Sequence, residues 1–212
     1  MSDNKNKITQ ANNEFSFPRR DFLKYSAADV AVAGAFSMGL PTGAFAAEAT
    51  PKPGGILRLG LAGGSTTDSK DPGSWADTFT FVGFSAVYNT LTEIAVDGTA
   101  IPELAESWTS TPDARVWTFK LRQGVTFHNG KSLTADDVVA SIQHHLGEKS
   151  TSAAKTVLGD VAKVSANGSD SVVFELHSGN ADFSYVVADY HLAILPSKDG
   201  VADWQAGAGT GG

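Results

Sequence analysis

Trp117-Thr118-Phe119-Lys120-Leu121-Arg122-Gln123-Gly124-Val125-Thr126-Phe127-His128-Asn129-Gly130 is the stretch from which the fold reads outward. Trp117, Phe119 and Leu121 alternate with Thr118, Lys120 and Arg122. That period of two gives a half-buried strand with one apolar face. Phe127 follows across Gly124, and Asn129-Gly130 is a turn dipeptide that reverses the chain. The period then changes. Ala135, Val138, Val139, Ile142 and Leu146 fall at i, i+3, i+4, i+7 and i+11, the apolar stripe of an α-helix. Thr134 stands at the N-cap with Asp137 three residues on, the pattern of a capping box. Asp136 and Asp137 occupy the first turn, where the helix dipole favours negative charge.

On the C-terminal side, Val161–Ser165 and Val172–Leu176 flank Asn167-Gly168 and predict a hairpin. Phe183, Val186, Val187 and Tyr190 predict a short third helix, and Leu192-Ala193-Ile194-Leu195-Pro196 a last strand or bend. On the N-terminal side, Phe81, Phe84, Tyr88 and Leu91 at i, i+3, i+7 and i+10 predict a helix, followed by a turn at Asp97-Gly98. Ile56–Leu61 alternates and is expected as a strand, after a Pro- and Gly-rich linker over 47–55 and before the polar loop Gly63-Gly64-Ser65-Thr66-Thr67-Asp68. No internal repeat is present. Strands and helices mix, so the fold class is mixed α/β, of the α+β kind.

Pro102-Glu103-Leu104-Ala105-Glu106-Ser107-Trp108 resembles the "P-x-L-A-x-S-W" segment of the family 5 extracellular solute-binding proteins, which include dipeptide, oligopeptide and nickel receptors. The likeness continues through Trp117–Gly130 and Leu133-Thr134-Ala135-Asp136-Asp137-Val138, and Tyr88-Asn89-Thr90-Leu91 is similar to the family's upstream Tyr-x-x-Leu helix. It covers roughly residues 53–212. Physically these are core aromatics and seam residues, so the signature identifies a scaffold and does not line a ligand site. The resemblance implies a periplasmic-binding-protein type II-like fold, two lobes closing on a ligand. Residues 54–85 would be the first part of the large lobe, 86–197 the small domain, and 198–212 the start of the return to the large lobe. Gly209-Thr210-Gly211 resembles the family's "G-T-G-P" segment, with Gly212 where Pro is usual. The resemblance further implies an incomplete copy, truncated before the rest of the large lobe and a third domain, and such a copy is expected to bind ligand weakly.

The first 46 residues read as an address. Residues 1–17 are polar and are expected to be disordered. Pro18-Arg19-Arg20-Asp21-Phe22-Leu23-Lys24 precedes an apolar run from Val30 to Leu40, and Ala44-Phe45-Ala46 is an A-x-A cleavage pattern. Arg19, Arg20, Phe22, Leu23 and Lys24 resemble a twin-arginine (Tat) signal, which would route the chain to the periplasm through the Tat translocase. Asp29 places a charge at the head of the apolar run. At about 1.5 Å per residue that run is too short to cross a hydrocarbon core of about 30 Å.

Composition removes other classes. With 42% hydrophobic and 18% charged residues the chain is of ordinary globular composition. A net charge of −7, with sixteen dispersed Lys and Arg, disfavours nucleic acid. With no cysteine, disulfides, zinc–thiolate sites and thiol nucleophiles are excluded. The five histidines, His128, His144, His145, His177 and His191, show no metal-ligand spacing. No G-x-S-x-G occurs, and Gly209–Gly212 lacks the lysine and following helix of a phosphate loop.

Two groups of residues are candidate ligand contacts. Ser65, Thr66 and Asp68 leave the first expected strand where family members face the cleft, and their hydroxyls and amides suit a ligand carboxylate. Asp189, Tyr190 and His191 lie at the end of the expected third helix, before a crossing segment, and suit stacking or hydrogen bonding. Trp75 is a candidate aromatic wall. The leading expectation is a binding module, neither enzyme nor cofactor protein: the substrate-binding component of an ABC importer for peptides or related small solutes, partnered by the permease subunits. The alternative is a Tat-exported metal-dependent hydrolase.

Overall fold

The alternation around Trp117 sits in the strand β4 (Val116–Leu121), where Trp117, Phe119 and Leu121 are buried. The structure, a computed structural model, describes residues 54–210. The expected signal residues Arg19, Arg20, Phe22, Leu23, Lys24, Ala44 and Ala46, and the closing Gly211 and Gly212, lie outside the described residues.

Strand β4 is an inner strand of an antiparallel sheet. With β3 (Ala105–Ser110), β5 (Val161–Ala166) and β6 (Ser171–Leu176) the order is β3-β4-β6-β5. The register sets Trp117 opposite Phe174, Phe119 opposite Val172, and Trp108 opposite Phe119. One face therefore carries nearly all the apolar side chains. Phe119 and Phe174 meet edge to face at 5.6 Å, the arrangement that ring quadrupoles favour. The hairpin β5–β6 turns at Asn167-Gly168, as its sequence requires, with Gly168 at φ 73°.

Helix α2 (Ala135–Leu146) covers β5 and β6, with its capping box between Thr134 and Asp137 formed. Its buried stripe is rotated from the expected one. Asp137, Ser141 and His145, at i, i+4 and i+8, are buried, whereas Val139 and Leu146 are half-buried. The helix packs on two surfaces. Val138 and Ile142 join the main core with the sheet, and the polar stripe meets the later chain, where Ser141 Oγ accepts from Leu195 N at 3.0 Å and Ser197 N donates to Asp137 Oδ1 at 2.6 Å.

Three local expectations are corrected. The helix expected from Phe81 to Leu91 is α1 (Thr78–Ser85). It begins earlier because Asp77 and Thr80 form a capping box, and it ends before Tyr88 because the next backbone groups serve distant partners. Thr90 O accepts from Leu104 N, Leu91 O from Ala105 N, and Asn89 O from Ile194 N. The strand expected over Ile56–Leu61 is absent; these residues have no regular structure, and Ile56 and Leu57 are 83% and 82% exposed. Alternation marks a strand only where a neighbour completes the hydrogen-bond ladder. The third helix is the single turn α4 (Phe183–Val186). Asp189 then caps a separate 3-10 turn, Tyr190–Leu192, by accepting from His191 N at 2.9 Å. Residues 191–196 are all buried without forming a strand.

Short hairpins complete the unit. β1 (Thr92–Ile94) and β2 (Ala100–Pro102) turn at Asp97-Gly98, and β7 (Ser197–Lys198) pairs with β8 (Val201–Ala202). The remaining helix is α3 (Ala154–Val157).

Candidate functional site

Besides the main core, a second cluster gathers Trp75, Tyr88, Ala193, Leu195 and Ala202, with Phe84 and Tyr190 packed against it. A depression of about 710 Å³ opens over this cluster, lined among others by Trp75, Phe81, Tyr88, Asp182, Asp189 and Tyr190. Trp75 follows a 3-10 turn, Pro72–Ser74, that Asp71 caps by accepting from Gly73 N at 2.9 Å. Its indole stacks on Phe84 at 4.7 Å and 11°, and its Nε1 donates to Ser69 O at 3.2 Å. Tyr190 meets Phe81 edge to face at 4.9 Å. These contacts hold the aromatic walls in place.

His191 lies behind the wall. Its Nε2 donates to the Trp75 carbonyl at 2.8 Å, and its Nδ1 is 2.7 Å from Asp189 Oδ1. Trp75 and the Tyr190 turn are thereby tied together through one imidazole. Burial pushes the Tyr88 phenol above its ordinary pKa, and burial together with the Asp189 charge does the same to Tyr190. Both phenols are neutral hydrogen-bonding groups at neutral pH.

Glu103, from the Pro102–Trp108 signature, closes one side. Its carboxylate accepts from Asn89 Nδ2, Thr90 N at 3.2 Å and Thr90 Oγ1 at 3.0 Å. Asn89 Oδ1 in turn accepts from Thr210 Oγ1 at 3.0 Å. The signature glutamate thus anchors the segment that carries Tyr88.

A second histidine pair sits at the end of α2. His144 Nε2 is 2.8 Å from Asp71 Oδ1, and His145 Nδ1 is 2.7 Å from Ser152 Oγ. The Asp71 hydrogen bond raises the His144 pKa against burial. Burial first, then the neighbouring His144 charge, lowers His145 to about 4. For Asp71, burial acts upward, but His144 and Gly73 N outweigh it and the net shift is down. The pKa values of two adjacent histidines on different faces of one helix are therefore shifted in opposite directions.

Of the residues expected from sequence, Trp75, Asp189 and Tyr190 line the depression, and His191 supports them from behind. Ser65, Thr66 and Asp68 are exposed and do not line it; they form a local turn in which Ser65 N donates to Asp68 Oδ2 at 2.6 Å. Phe81 and Tyr88, expected on one face of a helix, also line the depression, as do Glu93, Glu103, Asp182 and Tyr185. A tyrosine within an otherwise Phe and Leu stripe was the available signal for Tyr88. Among the described residues no group of three or more His, Cys, Asp or Glu is placed to hold a metal ion.

The α+β unit has the periplasmic-binding-protein type II fold, the scaffold of solute-binding proteins. Residues 99–211, just over half of the chain, match the model of the bacterial extracellular solute-binding proteins, family 5 Middle, and the chain belongs to that family. It is 40% identical over 84 residues to Di/tripeptide-binding protein 2 of Pseudomonas aeruginosa, covering 36% of this chain and 16% of that one. It is 31% identical over 99 residues to the Nickel-binding periplasmic protein of Escherichia coli, covering 47% and 19%. Among solved structures it is similar to the ABC transporter-associated periplasmic binding protein DppA of Helicobacter pylori in complex with the peptide STSA. There the TM-score is 0.58 at 26% identity, over 68% of this chain and 33% of that chain. The matched stretches thus span between about a sixth and a third of the relatives' own lengths.

Proposed function

We propose that this chain is the solute-binding component of an ABC importer for peptides or related small solutes, holding ligand for the permease without making or breaking a bond. The observation that carries the reading is the convergence of Trp75, Asp189 and Tyr190 on one braced depression in a chain of this family. Its volume, about 710 Å³, falls in the range of small-ligand pockets, roughly 300–1,000 Å³. The aromatic walls suit stacking on apolar ligand groups, and the carboxylates and phenols suit orientation by hydrogen bonds. In this reading residues 86–197 are the small domain, 54–85 and 198–212 belong to the large lobe, and Ser65, Thr66 and Asp68, outside the depression, reach the ligand from that lobe when the lobes close. Arg19 and Arg20 direct export to the periplasm through the Tat translocase, with cleavage after Ala46.

A surface open on one side buries only part of a ligand, so its affinity is expected between about 10 μM and 1 mM. Chemical-shift perturbation of the isotope-labelled chain by a di- and tripeptide panel reads that range. Shifts around Trp75 and Tyr190, lost in Tyr190→Ala, support the reading. A panel that perturbs nothing there overturns it.

A further inference from the structure

The depression carries more chemistry than its aromatic walls. Glu93, Glu103, Asp182 and Asp189 all line it, and no lysine, arginine or histidine does. Two of these carboxylates are already engaged, Glu103 by Asn89 and Thr90, and Asp189 by His191. Glu93 and Asp182 are exposed, and their carboxylates make no hydrogen bond or ion pair among the described residues.

Tyr88 supplies an independent pointer. It is 5% exposed, and its hydroxyl makes no hydrogen bond among the described residues. No buried side-chain nitrogen or oxygen among them lacks a partner, so the Tyr88 hydroxyl is not fully enclosed, and Tyr88 lines the depression. A tyrosine so deeply buried usually finds a partner within the protein. This one offers its oxygen to whatever occupies the depression.

Resting on the solute-binding reading, we propose that the depression takes an organic cation, an ammonium or guanidinium on an apolar stem, with Tyr88, Glu93 and Asp182 receiving the charged end. An anion would meet uncompensated negative charge. A neutral apolar solute would strip water from two carboxylates and return nothing to them. A cation pairs with both, donates to the Tyr88 oxygen, and buries its apolar stem against the rings of Phe81 and Tyr190. The net charge of −7 adds a field that draws cations toward the whole surface.

The test uses the full chain and four tripeptides, acetylated at the N-terminus and amidated at the C-terminus, whose central residue is Arg, Lys, citrulline or norleucine. Capping removes the terminal charges, so the central side chain alone varies. Chemical-shift titration should show the Arg and Lys peptides binding at least 10-fold tighter than the citrulline and norleucine peptides, with shifts centred on Tyr88 and Tyr190. Raising the ionic strength should erode that preference. The double variant Glu93→Gln/Asp182→Asn, at exposed positions that leave the core untouched, should abolish it, and Tyr88→Phe, which keeps the ring, should weaken the Arg peptide several-fold. Equal binding of all four peptides would overturn the cation assignment and leave the solute-binding reading standing. The same holds if the double variant keeps the preference. No perturbation at the depression by any of the four peptides, nor by the uncapped panel, would overturn both.

Discussion

Asp137→Asn tests how α2 is held. Asp137 is buried and its two oxygens serve different parts of the chain. Oδ1 accepts from the Lys131 ammonium, from Ser197 N at 2.6 Å and from Ser197 Oγ at 2.8 Å. Oδ2 accepts from Thr134 N and Thr134 Oγ1, both at 2.9 Å. An asparagine of the same shape has one oxygen, so its NH₂ must face donors on one side or the other. Losing the Thr134 side gives up a cap, about 1 kcal/mol. Losing the Ser197 side leaves buried donors unpaired at about 1–3 kcal/mol, and in either case the Lys131 pair loses its charge. Lys131 is 37% exposed and can rehydrate, which keeps the total near the low end of the ~3–5 kcal/mol typical of a broken buried pair. The expected destabilisation is therefore about 3 kcal/mol. In urea, with m of about 1–3 kcal/mol/M, the midpoint should fall by about 1–3 M at unchanged m, read from tryptophan fluorescence. Burial acts to raise the Asp137 pKa, but Lys131, Ser197 and Thr134 outweigh it and the carboxyl is held low. Its contribution is thus present above the ordinary carboxylate range and lost as pH falls through the lowered value, so parent and variant should converge in acid. A variant whose midpoint lies within about 0.3 M of the parent's at neutral pH would refute the account of how α2 is tied to Ser197.

Other outcomes follow from single residues. Trp117→Ala should cost about 3–5 kcal/mol by thermal or urea melting; an unchanged transition would mean that the strand presents its other face to the core. In an NMR titration His144 should take its proton at higher pH than His145. Because His145 is held neutral down to about 4, the unfolded chain binds a proton there that the folded chain refuses, so His145 costs up to about 3 kcal/mol of stability as pH falls from the ordinary histidine range. His144 acts the other way: its raised pKa gives stability that is present in acid and lost as pH rises through the raised value. His145→Gln should flatten the acid limb of the stability profile. Gly209→Ala should destabilise strongly in the same melts, since its Cβ would stand 1.9 Å from the Val87 carbonyl oxygen. Replacing Arg19 and Arg20 together by Lys should leave uncleaved precursor in the cytoplasm; unimpaired export would remove the Tat assignment.

What the sequence by itself determined are the features whose causes are local. The alternation of Trp117, Phe119 and Leu121 settles which face of β4 is buried, because side chains in a strand alternate by geometry. The Thr134–Asp137 box sets where α2 starts, since both partners lie within one turn. Asn167-Gly168 sets the β5–β6 hairpin for the same reason. The tertiary structure decided whatever depends on partners far along the chain. Tyr88 and Leu91 continue a helical period, yet Leu104, Ala105 and Ile194 claim the backbone between them and hold it out of the helix. Ile56–Leu61 has a strand's pattern, but no described residue supplies the ladder. Asp137, Ser141 and His145 look like a solvated helix face until residues 195–197 and Ser152 arrive to satisfy them. The depression belongs to this second kind. Trp75, Tyr88, Asp182 and Tyr190 come from distant stretches of chain; His191 ties the turn near residue 75 to the one near residue 190, and a contact across 116 positions leaves no periodic trace in the chain.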